Sequence, residues 1–188
     1  LDDDADNLFW SEDSQSIYFA FDNRGERTIK QISLNGDLNE IASNVGGTTI
    51  GRPYISGGFH IANGTAAYTY GKPDRPADVG IAIKGKTKVL TQLNEDILGY
   101  RKLGKVNEII YNSSFDNEEI HGWYITPPNF DPSKKYPLIL EIHGGPHLAY
   151  GPHFSAELQM MAASGYIVFY DNYRGSSSYG EDFALLLQ

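Results

Sequence analysis

The chain has 188 residues, enough for one or two domains. Hydrophobic residues make up 40% of it and charged residues 21%, so it can bury a core and is not a disordered tail. Asp and Glu outnumber Lys and Arg by 24 to 15, and the net charge of −9 repels phosphate backbones, which argues against nucleic acid as a partner.

There is no Cys, which excludes disulfides, thiol catalysis and Cys-based zinc sites. Lack of Cys leaves the compartment open, cytoplasmic or periplasmic. No apolar run approaches the roughly 18 residues of a membrane span, so no membrane partner is expected. The first residue is Leu and no basic-then-apolar leader follows, so the start reads as a cut boundary rather than a native N-terminus. Thirteen Tyr, 20 Gly and 9 Pro favour a strand-rich chain.

From residue 8 to about 92 the sequence reads as short strands separated by turn signals. Ile17-Tyr18-Phe19-Ala20-Phe21 is an apolar, aromatic strand ended by Asp22-Asn23-Arg24-Gly25. Thr28-Ile29-Lys30-Gln31-Ile32 alternates polar and apolar residues, and Asn35-Gly36 marks a tight turn before Asn39-Glu40-Ile41-Ala42. A second group repeats the plan. Tyr54-Ile55-Ser56 echoes Phe9-Trp10-Ser11, and Ala66–Tyr70 echoes the strand at Ile17. Val79–Ile83 echoes the strand at Ile29, and Lys88–Thr91 the one at Asn39. The offset of roughly 45 to 50 residues is the period of four-stranded propeller blades, with a generic antiparallel sheet as the plainer alternative. Two blades cannot close a ring, so a propeller here would be only part of one.

Around residue 100 the character changes. Ile109–Asn112 and Ile120–Ile125 flank Asp116-Asn117 as a hairpin, and the proline-rich stretch 127–137 reads as an exposed loop. Leu138-Ile139-Leu140-Glu141-Ile142 is a nearly continuous apolar run, expected of a strand covered on both faces. Phe154, Leu158, Met161 and Ala162 recur at helical spacing, and Gly165 sits where a C-terminal cap belongs. Tyr166–Tyr170 is a second buried strand, which completes a βαβ unit of a parallel sheet. The last residues, Asp182–Gln188, read as the opening of another helix.

The most specific feature is His143-Gly144-Gly145-Pro146, directly after the strand that ends at Ile142. Ligand chemistry in open α/β sheets sits beyond the carboxyl ends of strands. Paired glycines let the backbone approach a substrate and turn its N–H groups outward. In α/β-hydrolases an N–H from the loop after the third strand forms half of the oxyanion hole. A plain Gly-Gly-Pro turn is the alternative, but the preceding His and strand and the following helix favour the oxyanion reading.

From about Glu95 to Phe183 the chain resembles the junction of a prolyl oligopeptidase-family serine peptidase, closest to its acylaminoacyl-peptidase branch. The matching text is Leu93-Asn94-Glu95-Asp96, Ser114-Phe115-Asp116, Ile120-His121-Gly122-Trp123, Pro127-Pro128 and Lys135-Tyr136-Pro137-Leu138. It continues through His143-Gly144-Gly145-Pro146-His147, Gly165-Tyr166, Asn172-Tyr173-Arg174-Gly175-Ser176 and Tyr179-Gly180. The resemblance implies the end of a WD40-like β-propeller of about two blades in residues 1–104. It implies the N-terminal part of an α/β-hydrolase domain in 105–188, cut before the nucleophile. By the same resemblance the Gly145 N–H is an oxyanion donor and His143 borders the hole, where some relatives carry a Tyr whose hydroxyl joins it. Arg174 would shape the site from its edge, and a structural arginine bonding loop carbonyls is the favoured alternative. The implied substrate is a short peptide or acyl-peptide, with no cofactor and no metal.

The family also needs a Gly-x-Ser-x-Gly elbow, then an Asp, then a His, and no Gly-x-Ser-x-Gly occurs here. Gly175–Gly180 is a near miss, with Tyr179 in place of the second glycine around Ser177, while His147 and His153 lie upstream of where a triad His belongs. The chain alone is therefore expected to be inactive. Two readings other than an active peptidase stay open: a non-catalytic binding protein on the same scaffold, and a free-standing propeller-like module. The pair His143 and His147 lacks a third metal ligand. Asp2, Asp4 and Asp6 resemble the start of a calcium loop, but Asn7 stands at its turn glycine, so a solvated acidic loop is expected. His60 and His121 read as strand residues, and Trp10 and Trp123 as residues packed in sheets.

Overall fold

The structure is a computed structural model that describes residues 2–187. Strands β1 (Ala5–Trp10), β2 (Ser16–Asn23), β3 (Glu26–Ser33) and β4 (Leu38–Val45) form an antiparallel meander. A second meander follows in β5 (Phe59–Ala62), β6 (Thr65–Lys72), β7 (Arg75–Ile83) and β8 (Lys86–Val89). Three hairpins turn on two residues with positive φ, at Arg24-Gly25, Asn63-Gly64 and Lys84-Gly85, the backbone that matches strand twist. The sequence repeat is thus a structural repeat: β2 and β6 start at Ser16 and Thr65, β3 and β7 at Glu26 and Arg75. The meanders meet where Val45 pairs with Tyr70, and Phe9 of β1 packs edge-on against Phe59 of β5 at 5.2 Å. Ala20, Ile29, Val45, Phe59, Ala66 and Tyr68 form their core.

The expected echo of Phe9-Trp10-Ser11 at Tyr54 is not a strand. The first strand of the second group is β5, because Phe59 fills the place beside Phe9, whereas Pro53 and Gly57-Gly58 interrupt pairing around Tyr54. Tyr54 instead makes an isolated antiparallel bridge with Tyr150.

The second sheet runs β11-β12-β10-β9, from β9 (Lys105–Asn112), β10 (Glu119–Thr126), β11 (Leu138–Glu141) and β12 (Ile167–Asn172). β11 and β12 are parallel and the other pairs antiparallel, so hairpin and βαβ unit share one sheet. The short helix α1 (Glu95–Leu98) lies between the sheets in sequence, and residues 127–137 hold no strand or helix. The crossover helix α2 (Ala156–Ala163) is capped by Ser155, whose hydroxyl accepts from Leu158 N–H at 3.2 Å. It ends at Gly165, with φ +95°. Leu158 and Ala162 pack on Trp123, Ile125, Val168 and Tyr170. A short helix α3 (Glu181–Ala184) and a 3₁₀ turn (Leu185–Leu187) follow, and Gln188 lies outside the described residues.

β11 departs from the reading of a strand covered on both faces. It is an edge strand whose Leu138 and Leu140 are 64% and 53% exposed, because only the face carrying Ile139 and Glu141 is packed and no described element covers the other. Trp10 is likewise exposed, at 60%, on the edge strand β1, whereas Trp123 is packed in the core as expected. His60 and His121 lie in β5 and β10. The N-terminal aspartates form a solvated loop only in part, since Asp2 and Asp4 are exposed and outside any strand. Asp6 belongs to β1 and pairs with Arg27 at 2.9 Å, and Asp3 accepts from Ser178 N–H at 2.6 Å.

The two sheets meet along a polar seam. Arg24 N–H donates to the Ser178 carbonyl at 2.6 Å, and Gly25 N–H to its hydroxyl at 3.0 Å. Within this seam His153 is buried, its ring close to Gly46 and Gly151, and its Nε2 has no hydrogen-bond partner among the described residues. Burial, joined by the Arg27 charge, pushes its pKa down to about 4 against the pull of the Gly25 carbonyl. The folded state thus keeps His153 neutral, while the unfolded chain binds a proton near pH 6.5. Stability from this group is whole above pH 6.5 and is lost as pH falls toward 4. Urea unfolding of the wild type and of His153→Phe across that range checks this. Their stability difference is expected to drift in favour of the variant as pH falls, and a constant difference would refute it.

Candidate active site

His143-Gly144-Gly145-Pro146 leaves the sheet just past the carboxyl end of β11. Gly145 has φ +136°, a conformation that a side chain strains. Gly144 and Gly145 are both exposed, and among the described residues neither backbone N–H donates a hydrogen bond. Two unpaired donors on a turn beyond a parallel strand can accept a carbonyl oxygen or an anion.

The loop is held from within. The His143 ring is buried, its Nδ1 2.9 Å from the Gly144 carbonyl and its Nε2 3.0 Å from the Ser176 hydroxyl. Tyr173 stacks on it at 4.5 Å and donates its hydroxyl to the His143 carbonyl at 2.7 Å. Tyr150 meets the ring edge-on at 5.0 Å. Both ring nitrogens are therefore engaged inside the loop, and the ring turns toward Ser176 rather than solvent.

A second anchor is Asn172, the fully buried last residue of β12. Its side chain accepts from Tyr150 N–H and donates to the Tyr150 carbonyl, each at 2.8 Å, and donates to the Tyr179 hydroxyl at 2.9 Å. Tyr179 also contacts His121 Nδ1 at 2.9 Å, while His121 Nε2 lies 2.7 Å from Glu108. Burial, the leading cause in each case, holds the Tyr150, Tyr173 and Tyr179 phenols above their ordinary range, so all three keep their protons at neutral pH.

Arg174 stands apart from this cluster. It pairs with Asp116, donates to the Ser113 hydroxyl at 2.8 Å and lies over the Phe115 ring at 5.8 Å. Its partners are side chains of the β9–β10 turn rather than the loop carbonyls of the alternative reading. His147 is exposed, and His153 is buried in the seam between the sheets. Among the described residues no group of three His, Cys, Asp or Glu side chains could hold a metal. The sequence reading missed Tyr150 and the role of Asn172. Asn172, at the end of β12 on the buried side that alternates with the half-buried Asp171, is the one signal that pointed there.

A parallel strand pair, a crossover helix and a glycine turn at a strand's carboxyl end are the arrangement at which open α/β sheets place their ligands. Comparison with known proteins carries this further. Residues 152–188 match the model of the prolyl oligopeptidase family. The chain is 33% identical over 177 residues to an uncharacterized peptidase, YuxL, of Bacillus subtilis, covering 93% of this chain and 26% of that protein. It is 39% identical over 102 residues to dipeptidyl-peptidase 4 of Giardia intestinalis, over 52% of this chain and 13% of that protein. Among solved structures it superposes on the acylaminoacyl peptidase of Pyrococcus horikoshii with a TM-score of 0.80 and 30% identity, over 99% of this chain and 28% of that one. In sequence and in fold the chain matches the prolyl oligopeptidase family, as its motifs led one to expect. It spans about a quarter of the length of the relatives it matches over nearly its whole length.

Proposed function

We propose that the parent of this chain is a serine peptidase that hydrolyses short peptides or acyl-peptides, and that this segment supplies one arm of its oxyanion hole. The observation that carries the reading is the exposed N–H of Gly145, without a hydrogen-bond partner among the described residues, on a turn past β11 with φ +136°. There it would stabilise the negative oxygen of a tetrahedral intermediate, with His143 as the buried group that sets the turn. The nucleophilic Ser, its Asp and its His would lie outside this sequence, since no Gly-x-Ser-x-Gly occurs in it. Residues 1–104 would be propeller blades, a reading supported by the two meanders and by the meeting of β1 and β5 through Phe9 and Phe59. Residues 105–188 would open the hydrolase domain.

A fluorophosphonate probe tests the assignment. The parent is expected to label on a single Ser and to cleave a peptide arylamide, while the 188-residue chain gives no turnover. A folded parent that never labels would favour the non-catalytic binding protein. Turnover by the purified chain itself would refute the placement of the triad.

A further inference from the structure

We infer that Arg52 and Tyr54, on the connection between the two meanders, are positioning residues for the His143–Gly145 loop. This rests on the reading of Gly145 as an oxyanion donor and adds a device that the resemblance does not supply.

The connection, residues 46–58, is tied at both ends to its own sheet, through Gly46 and Gly58 to Thr69 and Gly47 to Ala77, while its middle, residues 50–55, lies against the segment that follows β11. Ile55 N–H donates to the Ala149 carbonyl at 3.1 Å, and Gly151 N–H to the Pro53 carbonyl at 2.9 Å. Ala156 N–H donates to the Ile50 carbonyl at 2.8 Å, and the Ser155 hydroxyl to the Gly51 carbonyl at 2.7 Å. So the first sheet grips the stretch that runs from the glycine loop into α2.

Side chains carry the grip to the loop. Arg52 pairs with Glu141, the last residue of β11, and lies 3.5 Å from both the Tyr150 hydroxyl and Glu157. Glu141 is 8% exposed and accepts from the Tyr150 hydroxyl at 3.1 Å. Tyr54 packs on Tyr150 at 4.8 Å and stands 6.4 Å from the His143 ring. Glu141 enters the glycine loop and Tyr150 leaves it, and the strap touches both. Arg52 is the only basic side chain paired with Glu141 among the described residues. Without it a buried carboxylate loses its compensating charge and either protonates or drags the end of β11 toward water. Either change moves the Gly145 N–H, and misplacement of about 1 Å by a distant change can cost on the order of 10²-fold in rate.

The test uses the parent enzyme. Arg52→Gln is expected to lower kcat about 10-fold or more with KM within about 2-fold, because the loop acts on the transition state. Affinity for a peptide aldehyde, whose hemiacetal oxygen occupies the hole, should fall in parallel. Arg52→Lys, which keeps a charge for Glu141, should recover most of the loss. Tyr54→Leu should show the same split at smaller amplitude, and it stands as the second probe if Arg52→Gln does not fold. Arg24→Gln cuts another ion pair between the sheets, Arg24–Glu119, and should leave kcat within about 2-fold. Unchanged kcat and aldehyde affinity in a labelling-competent Arg52→Gln enzyme would overturn this inference alone. An equal kcat loss in Arg24→Gln would overturn it too, as general loosening. A wild-type parent that never labels would overturn the peptidase reading and this inference with it.

Discussion

Gly145→Ala in the parent enzyme is expected to lower kcat by about 10²- to 10³-fold while KM changes little, the signature of a lost oxyanion donor. Two physical effects combine. At φ +136° a Cβ strains the backbone, and it would also stand 3.0 Å from His147 N and 3.3 Å from the Leu148 side chain. The relief is a rotation of the turn, which swings the N–H away. Gly144→Ala separates this from mere crowding, since a Cβ there meets nothing within 4 Å and Gly144 carries no positive φ. It should cost far less. Steady-state kinetics of both variants check the prediction, and a Gly145→Ala enzyme that retains a third of its kcat would refute it. The same variant should unfold about 1–2 kcal/mol more easily, from the strain alone.

Local chemistry explains why the strands of the first sheet were legible. The alternation in Thr28–Ile32 and the turn at Asn35-Gly36 specify β3, and the turn after it, from neighbouring residues only. Tyr54 failed because residue type alone suggested an echo of Phe9-Trp10, whereas its partner is Tyr150, on the connection between β11 and α2, which no periodicity encodes. Leu138–Ile142 failed differently. Its apolarity states that both faces suit burial, but whether they are buried depends on what else packs there, and within residues 2–187 only the Ile139–Glu141 face is covered. Trp10 is the same case on β1.

The site divides along the same line. A His-Gly-Gly-Pro turn after a strand is contiguous, and its chemistry follows from glycine's freedom, so it could be read directly. The groups that hold it come from far along the chain: Arg52 on Glu141, Asn172 on Tyr150, Ser176 on His143. Such pairs are made by topology, and one sequence carries no trace of them beyond a polar residue such as Asn172 on the buried side of a strand. Arg174 makes another such pair, its charge met by Asp116 of the β9–β10 turn, 58 residues earlier.

Trp123→Ala is expected to destabilise the protein by about 3–5 kcal/mol, the largest single effect on folding predicted here. The indole is 2% exposed, stacked on Tyr170 at 5.6 Å and packed against the His121 ring at 4.3 Å. It is also one of the points where the sheets touch, since a Cβ at Gly25 would come within 2.6 Å of its ring. Gly25 is therefore small because Trp123 is large, and the turn that carries it is the one bonded to Ser178. Truncation leaves a cavity beneath that turn which neither sheet can close, because hydrogen bonds fix both walls. The two contacts are separable. Trp123→Phe keeps an aromatic ring on Tyr170 but withdraws it from Gly25, and should cost roughly half as much. Urea unfolding of the two variants at pH 7 decides the matter. A loss below about 1 kcal/mol for Trp123→Ala would mean that the sheets are joined by the polar seam alone.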